Sequence, residues 1–184
     1  MSRREVVIGP YHEYLLEPER IKLVVEDLVG NKREVAILIS VDNTAPKGEI
    51  SRPINGSYVK NLVQIEITGG DANLNETRLY INSTLTMIWT ENGTYIYEWN
   101  TTSWPDGFYE LRLVIEDVVG NVYEAVIYVV VDNTSPGGWI LEPINGSYLR
   151  NAIEITVEST DNMAVGETRL YINNMLVATW TTAN

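Results

Sequence analysis

The side chains best placed to do chemistry in this sequence are carboxylates. Glu26, Asp27 and Asp42 recur 90 residues later as Glu116, Asp117 and Asp132, and Asp71 and Asp161 form a further pair at the same offset. All fall at the ends of apolar runs, where hard oxygen ligands at a junction could hold Ca2+, a cation that takes roughly six to eight of them. A second account needs fewer assumptions. Asp117 caps its own turn, Asp132 opens a linker turn, and surface carboxylates are ordinarily solvated. On that account no cofactor is expected, and Ca2+ is the metal to test. The adjacent Glu116 and Asp117 could in principle form a glycosidase pair. Successive strand residues point to opposite faces, so the two do not flank one bond. No catalytic residue is assigned and the chain is not expected to be an enzyme.

Other chemistries are excluded by composition. There is no Cys, which removes disulfides, thiolate zinc sites and a thiol nucleophile. The lone His12 leaves no multi-histidine site and little room for a hydrolytic triad. With 13 Lys plus Arg against 25 Asp plus Glu, the net charge of −12 argues against a nucleic-acid partner. No apolar run approaches the roughly 20 residues a membrane helix requires, so no membrane insertion is expected. Residues 1 to 10 carry charge but no apolar stretch of the kind a signal peptide has.

Two residue classes could serve recognition. Asn-x-Ser/Thr acceptors occur at Asn55, Asn75, Asn82, Asn92, Asn100, Asn133 and Asn145. Chance placement gives about two, so the excess points to an exported surface able to carry sugar. Turns and strand edges also favour Asn, Ser and Thr for their own reasons. Among the 5 Trp and 11 Tyr, Tyr95, Tyr97 and Trp99 lie on the inward register of one strand and are assigned to the core. Tyr80, Ile96, Tyr128 and Tyr171 take the outward register as a contact face, while Trp104 and Trp139 sit at turns.

The elements that must position these groups are strands. Val63, Ile65 and Ile67 alternate with polar residues, as do Leu111, Leu113 and Ile115, and no helical period is present. Strands are expected over 48–59, 62–68, 76–82, 85–90, 94–100, 108–116 and 122–131. Asp117-Val-Val-Gly120, Trp104-Pro-Asp-Gly107 and Asn55-Gly56 supply turns between them. Seven short strands in about 90 residues predict an all-β antiparallel sandwich.

That length is also the period of the chain. Glu116 to Asn121 repeats Glu26 to Asn31, Val131 to Pro136 repeats Val41 to Pro46, and Pro143 to Tyr148 is identical to Pro53 to Tyr58, each 90 residues apart. Glu167 to Asn173 repeats Glu76 to Asn82 at 91. The division that follows is a C-terminal half-repeat over 1–44, a complete repeat over 45–134 and an N-terminal half-repeat over 135–184.

The residues Asp42-Asn-Thr-Ala-Pro46, Pro53-Ile-Asn-Gly-Ser57, Arg78-Leu-Tyr-Ile-Asn82, Tyr95-Ile-Tyr-Glu-Trp99 and Glu116-Asp-Val-Val-Gly-Asn121 resemble the bacterial and archaeal immunoglobulin-like (Big) repeats of surface and secreted proteins. The resemblance covers nearly the whole chain. It implies tandem immunoglobulin-like sandwiches at the cell surface or outside the cell, acting without catalysis as spacer or adhesion module. The alternative is an accessory carbohydrate-binding or substrate-presenting module of a secreted hydrolase. The first half-repeat departs from the pattern, with Glu5 and Gly9 standing where Tyr95 and Trp99 stand. The expected partners are neighbouring repeats, a polysaccharide or surface protein, or the half-repeats themselves, with 1–44 and 135–184 completing one another within a chain or by self-association between chains, because half a sandwich exposes edges and an apolar face.

Overall fold

The computed structural model describes residues 4–6 and 18–181. Gly9, one of the two positions at which the first half-repeat departs from the pattern, lies outside the described residues. Among the described residues every regular element is a strand except one 3-10 turn at Thr101–Ser103, and no helix is long and apolar enough to cross a membrane.

The central part of the chain closes into two layers. One sheet is formed by β3 (Lys47–Arg52), β5 (Leu62–Gly70) and β8 (Gly93–Asn100), in that spatial order. The other contains β4 (Tyr58–Val59), β10 (Val122–Val131), β9 (Gly107–Asp117), β6 (Leu74–Ile81) and β7 (Thr84–Trp89) in spatial order, so chain order and neighbour order differ. All pairings are antiparallel except β4 with β10. The two-residue alternation seen in the sequence is the burial pattern itself. Val63, Ile65 and Ile67 of β5 pack in one buried cluster with Leu79 and Ile81 of β6, Leu111, Leu113 and Ile115 of β9, and Val129 and Val131 of β10. Apart from Pro46, the buried apolar side chains among the described residues lie between Val63 and Val131.

The single strand expected over 48–59 is in fact two, and they belong to different sheets. Pro53 has no N–H to give a ladder, and the turn at Asn55-Gly56, with Gly56 at φ 81°, hands the chain across the sandwich. Ser57 N–H donates to the Ile54 carbonyl at 3.0 Å, and Asn55 Oδ1 accepts from Tyr128 N–H at 2.8 Å to fix the crossing on β10. The hairpin between β9 and β10 forms as its turn residues predict, with Gly120 at φ 92°.

On either side stand strands that do not close. β1 (Glu19–Glu26) and β2 (Lys32–Ile39) form an isolated hairpin, β11 (Gly137–Glu142) pairs with β12 (Thr156–Thr160), and β13 (Glu167–Ile172) pairs with β14 (Met175–Thr181). None of these strands contains a buried residue.

Candidate functional site

Three of the carboxylates singled out above converge at the N-terminal pole of the sandwich. Asp42 lies in the segment leading to β3, Asp71 follows β5 and Asp117 ends β9, and one oxygen of each lies within 4.8 Å of the others. The antiparallel order brings them there, since the end of β5, the β9–β10 turn and the start of β3 share one pole.

Each carboxylate already accepts hydrogen bonds. Asp117, only 1% exposed, accepts from Val119 N–H at 2.9 Å, Asn121 N–H at 2.8 Å and the Asn121 amide at 2.7 Å. Burial pushes its carboxyl upward, but the Asn121 side chain and the surrounding backbone N–H groups outweigh it and hold it below the usual value. Asp71 accepts from Asn73 N–H at 2.8 Å and is itself held by both ends of the Asn92 amide. Asp42 accepts from Thr44 N–H at 2.9 Å and from the Asn73 amide at 3.0 Å. The Asn121 amide also donates to the carbonyls of Asp42 and Thr44, at 3.2 and 3.3 Å. Two loops of the sandwich therefore grip the preceding segment. Chemically the cluster offers hard oxygens suited to a divalent cation. It also works as a hydrogen-bonded joint in which asparagine amides stand against the carboxylates.

The other candidate ligands are placed elsewhere. Glu26 pairs with Lys32 at 3.1 Å and Glu116 with Arg78. Asp27 caps its own hairpin turn through Val29 N–H and Asn31 N–H, and the Asn31 side chain leads in lowering its pKa. Asp132 accepts from Thr134 N–H at 3.2 Å. Asp161 accepts from Met163 and Ala164 N–H.

A second joint lies at the opposite pole, built from the acceptor Asn133, the linker turn at Asp132 and the Trp104-Pro-Asp-Gly107 turn. Asn133 Oδ1 accepts from Asn61 N–H at 3.1 Å and from Thr101 Oγ1–H at 3.0 Å, while its amide donates to the Thr101 carbonyl at 3.0 Å. Asp106 accepts from Asn133 N–H at 2.8 Å, from Thr134 Oγ1–H and from the Asn162 amide at 2.8 Å, joining the sandwich to the segment beyond it. The signal in the sequence is the repeated Val-Asp-Asn-Thr motif, whose third residue carries the glycosylation acceptor pattern and the joint at once.

Those donors, the Thr134 hydroxyl first, hold the Asp106 carboxyl at about 2. A carboxyl whose folded pKa is lowered contributes stability that is full above its unfolded value of about 4 and vanishes as pH falls through about 2. Asp106→Asn is therefore expected to lower the thermal midpoint at pH 6, with the gap from the parent closing between pH 4 and pH 2; calorimetry at those three values checks this.

The acceptor asparagines divide in the same way. Asn55, Asn82, Asn92, Asn100 and Asn133 all bond backbone groups through their side chains, and Asn75 and Asn145 are exposed. Of the aromatics, Trp99 is buried and Tyr95 and Tyr97 are half-buried, with Tyr95 stacked on Trp89 at 4.7 Å. Trp104 is not a free turn residue: it meets Trp99 and Tyr109 edge-on at 5.7 and 5.6 Å. Arg112 covers the Tyr80 ring at 4.4 Å, and Ile96, Tyr128, Trp139 and Tyr171 are exposed.

No family model and no curated protein matches the chain. Among solved structures it is similar to an endo-beta-1,4-mannanase from Thermotoga petrophila, at 19% identity and a TM-score of 0.42, over 50% of this chain and 21% of that one. It is also similar to fibronectin(III)-like modules of Clostridium thermocellum CbhA, at 21% identity and a TM-score of 0.40, over 46% of this chain and 94% of that one.

Proposed function

We propose that the chain is a non-catalytic, immunoglobulin-like spacer of an exported or cell-surface protein, divided into repeats at 45 and 134, whose task is to hold what precedes and follows it at a set distance and angle. The observation that carries this reading is the pair of hydrogen-bonded joints at opposite poles. Each one ties a linker segment to loops of the sandwich with asparagine amides, so the linkers do not act as flexible tethers. The resemblance to surface-protein repeats and the excess of acceptor asparagines support export.

The joint is testable because the chain has no Cys of its own. Spin labels on Arg33→Cys and Glu98→Cys, diluted into unlabelled chain, should give one narrow distance distribution. Asn73→Ala combined with Asn121→Ala should broaden it severalfold, and an equally broad distribution in the parent would contradict the spacer reading. The proposed joint uses no cofactor, so a chelator should leave the distribution unchanged. Broadening on chelation would assign the three carboxylates to a bound cation instead. The second reading, an accessory carbohydrate-binding module, is favoured by the exposed Trp139, Tyr148 and Trp180 of 137–181. Affinity electrophoresis on polysaccharides decides it, since unretarded migration removes that reading.

A further inference from the structure

The open strands at the two ends are complementary parts of the sandwich that closes in the middle. At the 90-residue offset β1 and β2 correspond to β9 and β10, and at 91 residues β13 corresponds to β6. In the closed sandwich β6 pairs with β9, setting Thr77 opposite Ile115, Leu79 opposite Leu113 and Ile81 opposite Leu111. The counterparts are Thr168 with Val25, Leu170 with Leu23, and Ile172 with Ile21. Chemistry is retained beyond the apolar positions. Arg78, which pairs with Glu116, has Arg169 and Glu26 as its counterparts, and Arg112 over Tyr80 has Lys22 and Tyr171. The hairpin already reproduces one such contact, since Lys22 pairs with Glu34 at 2.7 Å where Arg112 pairs with Glu124 at 3.0 Å.

What differs is burial. Leu113 and Ile81 are fully buried, whereas Leu23 is 58% exposed and Ile172 48% exposed. Both outer segments thus carry a face whose cover is known from the same molecule. We propose that β13 of one chain takes the β1–β2 hairpin of a second copy in the register of β6 with β9, so that Leu23 and Ile21 of one copy pack with Leu170 and Ile172 of the other. The same mating within one chain would have to bridge the length of the sandwich, because β1–β2 and β13 leave it from opposite poles, where the segments near Asp42 and Asn133 are tied down. Between copies no joint is disturbed. The contact is heterologous, head to tail, so each added copy leaves one hairpin and one β13 edge for the next and the sandwiches add in a row. This adds a mode of assembly to the spacer reading, and rests on that reading only for the direction of the two joints.

Light scattering on size-exclusion fractions, from low-micromolar to near-millimolar chain, reads the outcome. The parent should show a mass that climbs past twice the 20.8 kDa of one chain. Leu23→Asp and Leu170→Asp should each stay at the single-chain mass. Both lie outside the closed sandwich, so unchanged near-ultraviolet dichroism shows that their sandwich is intact. Mixed in equal amounts, the two variants retain one good hairpin and one good β13 edge, and should give a capped dimer and nothing larger. A parent that remains monomeric overturns the proposal, as do single variants that still associate or a mixture that does not pair. The spin-label distribution at the joint is unaffected by any of these results, so failure here is distinct from failure of the spacer reading.

Discussion

Trp99→Ala should destabilise the sandwich by about 3–5 kcal/mol, the range for removing a buried aromatic side chain. Trp99 is 1% exposed and sits where β8 meets the 3-10 turn. Its ring meets Tyr109 edge-on at 5.4 Å and Trp104 at 5.7 Å, and both of those would lose a face of contact. In a cooperative unit of this size the loss corresponds to a fall in thermal midpoint of at least about 12 °C. The indole N–H has no hydrogen-bond partner among the described residues, and the side chain acts through its volume and ring contacts. Trp99→Phe should accordingly recover a large part of the loss. Thermal unfolding followed by far-ultraviolet dichroism checks both. A Trp99→Ala variant within about 1 kcal/mol of the parent would mean that the aromatic cluster is not part of the cooperative core.

The second large effect falls on a residue that the sequence presents as a sugar acceptor. Asn133→Ala removes one acceptor and one donor that together link Asn61, Thr101 and the end of β10. Thr101 is fully buried and keeps the Asn61 carbonyl on its hydroxyl and Trp104 N–H on its carbonyl, both at 2.9 Å, so the cost comes from the three lost bonds and the acceptor taken from Asn61 N–H, about 1–3 kcal/mol. Asn133→Asp is the more telling variant. It keeps the acceptor but loses the amide donor, and it sets a second carboxylate beside Asp106, whose oxygen lies 2.8 Å from Asn133 N. Its instability should ease as pH falls below about 4 and the new carboxyl takes up a proton. Urea unfolding at pH 7 and pH 3.5 measures the difference. Equal stability of Asn133→Ala and parent would show that the joint at this pole is not a structural element.

The alternation of Val63, Ile65 and Ile67, and of Leu111, Leu113 and Ile115, made the sandwich legible because burial on one face is a period-two property that a single strand carries in its own residues. The same local character made the Asp117 turn legible. What the sequence did not reveal depends on residues far apart in the chain. The break of the first strand has a local cause in Pro53 and the Asn55-Gly56 turn, but which sheet takes each part is decided by distant partners, β5 for Lys47–Arg52 and β10 for Tyr58–Val59. Asn121 reaching Asp42, 79 residues away, leaves no periodic trace. Asn133 bears the acceptor motif and the joint at once, and the motif is the louder signal. The carboxylates were recognised by type, but Glu116 and Asp117 part company because neighbouring strand positions face opposite ways: one meets Arg78, the other is buried at the pole.

The account turns on one closed sandwich flanked by open strands, and hydrogen exchange on the full chain at low concentration tests it most directly. The slowest amides should lie in β5, β6, β9 and β10, with β1, β2, β11 and β14 exchanging orders of magnitude faster. Comparable protection of the outer strands in the monomer would contradict it, because their apolar faces would then have found cover inside a single chain.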